Sequence, residues 1–206
     1  MFEFRTLGSI DLRRPDGHEV SALLAQPKRI ALLAYLAVAT PRGFHRRDKL
    51  LPLFWPEADQ DHARTSLRKA VHGLRQALGD GTVLSRGDEE IGLDFSALRC
   101  DVAAFDQALN AGAAEEALTL YRGDLLSALH LPNCPEFERW VESERDRLLR
   151  RATEGARRWP AKRSRRDVRH VPPSGIDGRW TFIPMTRPTC GPWCACWTTP
   201  AIARGR

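Results

Sequence analysis

LFWPEADQDHARTSLRKAVHGLRQAL, spanning Leu53–Leu78, joins an aromatic-proline stop to an acidic turn and then to a helix. Ala63, Leu67, Ala70, Val71, Leu74 and Leu78 recur at helical spacing, so they line one buried stripe of a helix over residues 62–78. With about 100° between successive residues, Thr65, Lys69, His72 and Gln76 project to the far side, and Arg64, Arg68 and Arg75 share one flank. A helix packed on one side and cationic on the other suits a reader of the DNA major groove. It equally suits an ordinary amphipathic surface helix, so its surroundings must decide.

Upstream, Phe2, Phe4 and Thr6 alternate with polar residues, Gly8 interrupts, and Ile10 and Leu12 alternate again before the turn Pro15-Asp16-Gly17. Glu19-Val20 then resume, which predicts short antiparallel strands. Pro27 stands near the start of a dense helix, Lys28 to Ala39, with Ile30, Leu32, Leu33, Tyr35 and Leu36 as its core face. After Pro41-Arg42-Gly43 a second helix is expected from about Arg47 to Phe54, ended by Trp55-Pro56, because a residue before proline is pushed out of the helical region. Downstream, Gly79-Asp80-Gly81 closes the opening helix. Two strands, Thr82-Val83-Leu84 and Ile91-Gly92-Leu93, then flank the turn Arg86-Gly87-Asp88. Strands, three helices and a hairpin, in that order, are the winged helix-turn-helix plan, with helix two as scaffold, helix three as reader and the hairpin as wing.

From Asp101 the pattern changes to helix pairs: Val102 to Leu109, a turn at Asn110-Ala111-Gly112, and Ala114 to Tyr121. A long charged helix from Phe137 to about Ala152 comes next, with Phe137, Trp140, Val141 and Leu148 on one stripe and Leu149 widening it. Within it, Glu142–Arg145 and Asp146–Arg150 are complementary pairs. The pairing suggests tetratricopeptide-like stacking, of which only the beginning is present.

The formal net charge is +6, but its distribution is more informative than its sum. Residues 155–206 hold 11 Lys/Arg against Asp167 and Asp177, whereas residues 1–154 hold 21 basic and 24 acidic residues. The basic balance therefore belongs to the C-terminal stretch and says little about the body. Within the body, residues 42–75 have eight basic and four acidic residues, and residues 96–154 have seven and eleven, a locally basic element followed by an acidic one. No apolar run approaches a membrane span, and MFEFRTLGSIDL lacks the features of a secretory signal. Cys100 and Cys134 in the body form no disulfide framework, which fits a reducing cytoplasm.

LLAYLAVA, RRDKLLPLFWPEADQDHARTSLRKAVHGLRQALG, CDVAAFDQAL, EEALTLYRGDLL and PEFERWVESERDRLLRRA together resemble the SARP-type transcriptional regulators, over roughly residues 1–154. That resemblance implies an OmpR-like winged helix followed by a bacterial transcriptional activator domain. It also implies a cytoplasmic DNA-binding activator that recognises repeated sites as adjacent protomers and engages RNA polymerase. On that pattern Leu67, Leu74 and Leu78 are helix core, and Arg68 and Arg75 contact DNA or support residues that do. One departure stands out. Where many relatives carry a basic wing or a Gly-Tyr pair, Asp88, Glu89 and Glu90 occupy this wing's tip, and carboxylates are repelled by phosphates.

Residues 155–206 do not continue the helical pattern. They hold four of the six Trp, seven of the fourteen Pro and three of the five Cys. Arg, Pro, Trp, Cys and Gly are what GC-rich codons yield out of frame, so the chain is expected to be truncated or frameshifted after about residue 154, with a disordered tail. Cys190-Gly191-Pro192-Trp193-Cys194 has three residues inside its cysteines rather than two, and with His170 and Cys196 it falls short of a zinc pattern.

The expected fold class is mainly α with small β: a winged helix-turn-helix domain over 1–95, a partial tetratricopeptide-like helical domain over 96–154 and a disordered tail over 155–206. The expected function is sequence-specific regulation of transcription, with double-stranded DNA and RNA polymerase as partners, a homo-oligomer on repeated sites, and no membrane association. The alternative is a protein-interaction module whose winged helix no longer binds DNA. Arg64, Thr65, Arg68, Lys69, His72 and Arg75 on helix three are the expected DNA-facing residues, joined by Arg46, Arg47 and Lys49 around the start of helix two and by Arg86 in the wing. No catalytic grouping, metal site or cofactor motif is visible, so an enzyme is not expected.

Overall fold

In the computed structural model, which describes residues 1–158, the chain opens with a sheet ordered β2-β1-β6. Strand β1 (Phe2–Arg5) pairs antiparallel with β2 (Asp11–Arg13), Phe4 opposite Leu12, as the alternation predicts. On its other edge β1 pairs in parallel with β6 (Leu98–Cys100), Phe2 opposite Leu98. Strand β6 is absent from the sequence expectation, because three residues have no alternation long enough to show. The carboxylate of Asp101, at the first position of the next helix, accepts from the Thr6 amide and hydroxyl at 2.8 Å each and from the Leu7 amide at 2.9 Å. The end of β1 is thereby latched to the helix that β6 leads into.

A short turn of helix that the sequence does not announce, α1 (Ser21–Leu24), leads into α2 (Pro27–Val38). Pro27 sits at N1, where its missing N–H costs nothing. Eight of the twelve residues of α2 are buried, from Ile30 to Val38 with Tyr35 the half-exposed break, so this helix is the central rod of the fold. Helix α3 (Arg47–Phe54) stops at Trp55 before Pro56, as the sequence predicts. Helix α4 (Gln60–Leu78) starts on an Asp59 cap whose side chain accepts the His62 amide at 2.9 Å. It buries Ala63, Leu67, Ala70, Val71, Leu74 and Leu78, the stripe expected, together with Gly73, over which the Arg29 guanidinium lies. Gly79, at φ 87°, turns the chain out of α4, and the hydroxyl of buried Thr82 donates to the Leu78 carbonyl at 2.8 Å.

The wing is β4 (Val83–Arg86) antiparallel to β5 (Glu90–Leu93) around the expected turn. A third strand, β3 (His45–Arg46), joins β5 with His45 opposite Ile91. Two residues carry no legible period, so sequence reading places Arg46 beside the helix start and not in a strand.

Helices α5 (Asp101–Asn110) and α6 (Ala114–Leu120) form a helical hairpin about Gly112 at φ 75°. Helix α7 runs Pro135–Arg158, further at both ends than the expected 137–152. Its buried residues are Phe137, Val141, Glu144, Leu148, Ala152 and Gly155, in steps of four and three. Leu149 corrects the sequence reading: it lies one residue around from that stripe and is 53% exposed. The Glu142–Arg145 pair forms at 3.6 Å. Asp146 and Arg150 do not pair among the described residues; Glu144 and Arg147 do, at 2.7 Å. Arg145 also donates to the carbonyls of Leu125 at 2.8 Å and Leu126 at 3.1 Å, bracing a bend where Leu126 holds φ 51°.

One hydrophobic core runs from Phe4 to Ala152. Aromatic contacts tie α7 to α2 and α3, Tyr35 to Trp140 at 4.7 Å and Phe54 to Phe137 at 5.3 Å between ring centroids, while Phe137 and Trp140 stack within α7 at 5.6 Å. The fold is mainly α with small sheets, a winged helix followed by helices. No described helix is long and apolar enough to cross a membrane. The expected disordered tail over 155–206 is corrected at its start, because residues 155–158 are the last turn of α7 and Gly155 is buried in its stripe; the rest of that stretch, with its cysteine motif, lies outside the described residues.

Candidate nucleic-acid interface

Among the described residues, nothing covers the outer face of α4. Arg64, Thr65, Arg68, Lys69 and His72 are all exposed, on the side opposite the buried stripe. None of them hydrogen-bonds or ion-pairs through its side chain among the described residues. A row of unpartnered donors on a helix held rigid from behind is free to meet an anionic surface without first breaking internal bonds.

Arg75 differs from its neighbours. Its Nε donates to the Val83 carbonyl at 2.9 Å and its Nη2 to Ser85 Oγ at 2.8 Å, and the residue is half-buried. It braces β4 against the C-terminal half of α4, so the wing's position is set partly by this side chain. Arg47, the first residue of α3, reaches the same serine at 3.4 Å, and its amide donates to the Glu89 carbonyl at 2.8 Å. Burial pulls the Arg47 guanidinium below its ordinary value, nearby Asp88 opposes that shift, and Arg75 and Arg68 add to it. Ser85 therefore collects two arginines from two helices, a convergence that no sequence motif announces.

The remaining expected residues lie around this centre. Arg46 is exposed in β3 and its Nη2 meets Asp48 at 3.3 Å. Lys49 is exposed on α3; burial first, and the charge of Lys49 second, hold His45 below the ordinary histidine value. Arg86 lies over the Phe44 ring at 4.1 Å and reaches Glu90 at 3.5 Å, at the base of the wing turn. Arg47, Arg64 and Arg68 are brought together around one cleft; Arg46 and Arg86 carry their own carboxylate partners. Cys100, fully buried with its thiol pushed up to about 12 by burial and by Asp101, is no nucleophile at neutral pH.

No family model matches the sequence, and no curated protein does. Among solved structures, EmbR of Mycobacterium tuberculosis, in complex with a low-affinity phosphopeptide, is similar at a TM-score of 0.52 and 23% identity, over 76% of this chain. The chain spans 45% of the length of that protein. At this identity the likeness is one of fold.

Proposed function

We propose that the chain is a sequence-specific DNA-binding regulator of transcription of the SARP type, acting as an activator. Residues 1–95 form the DNA-binding domain, with α4 in the major groove, and residues 96–154 form the helical, tetratricopeptide-like domain that mediates assembly on repeated sites and contact with RNA polymerase in the cytoplasm. The observation behind this reading is the divided face of α4: six apolar residues buried behind it, and five polar or cationic side chains exposed and unpartnered in front, beside a three-stranded wing. Arg64, Thr65, Arg68, Lys69 and His72 are the base-edge and phosphate contacts; Arg46, Arg47, Lys49 and Arg86 add phosphate contacts; and Arg75 acts through the wing it braces.

Arg68→Ala tests the assignment. On a duplex selected from a random-sequence pool, full-length protein carrying it should lose about 1–3 kcal/mol of binding free energy if the side chain meets a base edge. An unchanged footprint and affinity would remove Arg68 from that role. The acidic residues at the wing tip favour the second reading, a protein-interaction module that no longer binds DNA.

A further inference from the structure

Between the start of α3, the N-terminal half of α4 and the wing tip lies a cleft of about 300 Å³, lined by Arg47, Arg64 and Arg68 and by Asp88 and Glu89, with Asp48 and Leu67 completing it. Its three cations and three carboxylates cancel in formal charge. Yet none of the three arginines comes within ion-pair distance of a carboxylate among the described residues. Nε of Arg47 is buried without a hydrogen-bond partner among the described residues, while its Nη2 meets Ser85. Arginines that line a cleft without touching its carboxylates leave room for an intervening anion with several acceptor oxygens. Phosphate has that geometry, and guanidinium groups recognise it in a fork.

We propose that this cleft seats one backbone phosphate of duplex DNA, and that Asp88 and Glu89 are resident counter-anions which oppose that phosphate and so limit how tightly the protein holds DNA of any sequence. The proposal rests on the DNA-binding reading above and adds to it the role of the wing acids. Sequence-independent affinity is the phosphate term, whereas specificity is the ratio of specific to unspecific binding. A phosphate seated in the cleft is present on every duplex, so opposing it lowers specific and unspecific binding alike and leaves that ratio to the base contacts of α4. The wing acids therefore set overall DNA affinity and need touch no base. The backbone bond from Arg47 to Glu89 holds the tip over the cleft, so the opposition is built into the folded wing.

The test is fluorescence anisotropy of the full chain on a short duplex of arbitrary sequence, across a salt series. Asp88→Asn/Glu89→Gln should tighten binding by about tenfold at roughly 50 mM salt and steepen the log–log salt slope by about 1, the value of one further neutralised phosphate. Both positions are exposed in a turn, and the replacements keep their size. Glu115→Gln/Glu116→Gln, on exposed positions of α6, removes the same charge elsewhere and should change affinity less than twofold. Equal gains from the two double variants overturn the proposal, since net charge alone would then explain them. Arg68→Ala separates the two readings. If it weakens binding while the wing variant gains nothing over the α6 control, the wing proposal fails and DNA binding stands. If neither the wild type nor the wing variant binds, both fail together.

Discussion

Asp106→Asn should lower the unfolding free energy by about 2–3 kcal/mol, because three arginines converge on that one buried carboxylate. Arg42, from the loop after α2, meets it at 3.0 Å; Arg147 and Arg151, one turn apart on α7, meet it at 3.2 Å and 2.7 Å. Removing its charge while keeping its shape leaves three cations with Glu144 as the only acid still paired among them within the described residues, at 2.7 Å to Arg147. Burial works against the charge of Arg147, and its bond to Glu144 together with the charge of Asp106 more than offsets this; the variant deletes part of that compensation. The arginines are a quarter to a third exposed, so the loss sits below the ~3–5 kcal/mol of a fully buried pair. Urea unfolding of the full chain measures it. A loss under about 0.5 kcal/mol, the range of an ordinary surface change, would mean that this cluster does not hold α5 and α7 to the α2 loop.

Phe137→Ala should cost about 3–5 kcal/mol. The ring is fully buried between Phe54 at 5.3 Å and Trp140 at 5.6 Å, at the point where the first turn of α7 docks on α3. Its loss opens a cavity that neither neighbouring ring can fill without leaving its own packing, since Phe54 also contacts Tyr35 at 6.1 Å and Trp55 at 5.9 Å. Thermal unfolding monitored by near-ultraviolet dichroism reads both the stability and the loss of this aromatic cluster. A change near 1 kcal/mol, well under the usual cost of emptying a buried aromatic site, would show that the helices after residue 100 pack on the winged helix more loosely than the geometry indicates.

Local signals make the fold legible where they are strong. The stripe from Ala63 to Leu78, the stop at Trp55-Pro56 and the turn at Arg86-Gly87-Asp88 each act over a few residues, and the corresponding elements stand where the sequence predicts them. The elements that escape depend on partners far away in sequence. Strand β6 exists because β1 lies alongside, and β3 exists because Ile91 and Glu90 present an edge to His45 and Arg46. Glu144 occupies the buried stripe of α7 because Arg147, at 2.7 Å, neutralises it. Leu149 reads as core and is exposed, because apolar character alone does not fix which way a helical position faces.

The candidate interface divides in the same way. That Arg64 and Arg68 share one flank of the helix, and Thr65, Lys69 and His72 its far side, comes from helical periodicity alone. The engagement of Arg75 with Val83 and Ser85, and the position of the wing acids in one cleft with Arg47, Arg64 and Arg68, depend on how the hairpin folds back on α4. The acidic tip is recognisable in sequence as a departure from a basic wing, but only the fold shows which cations it faces.

The claim that the α4 face binds duplex DNA is tested most directly by the salt dependence of duplex affinity for the full-length wild type and for Arg64→Ala/Arg68→Ala. The basic residues beyond position 154 can hold DNA without sequence preference, so the change between the two proteins is the decisive quantity. Each phosphate contact contributes about −0.9 to the slope of log affinity against log salt. The wild type should therefore show a clearly negative slope, and the double variant one shallower by about 1, the value of the one phosphate these two arginines help to seat, with weaker binding throughout. A slope near zero in the wild type, or the same slope in both proteins, would contradict the account and favour the protein-interaction module.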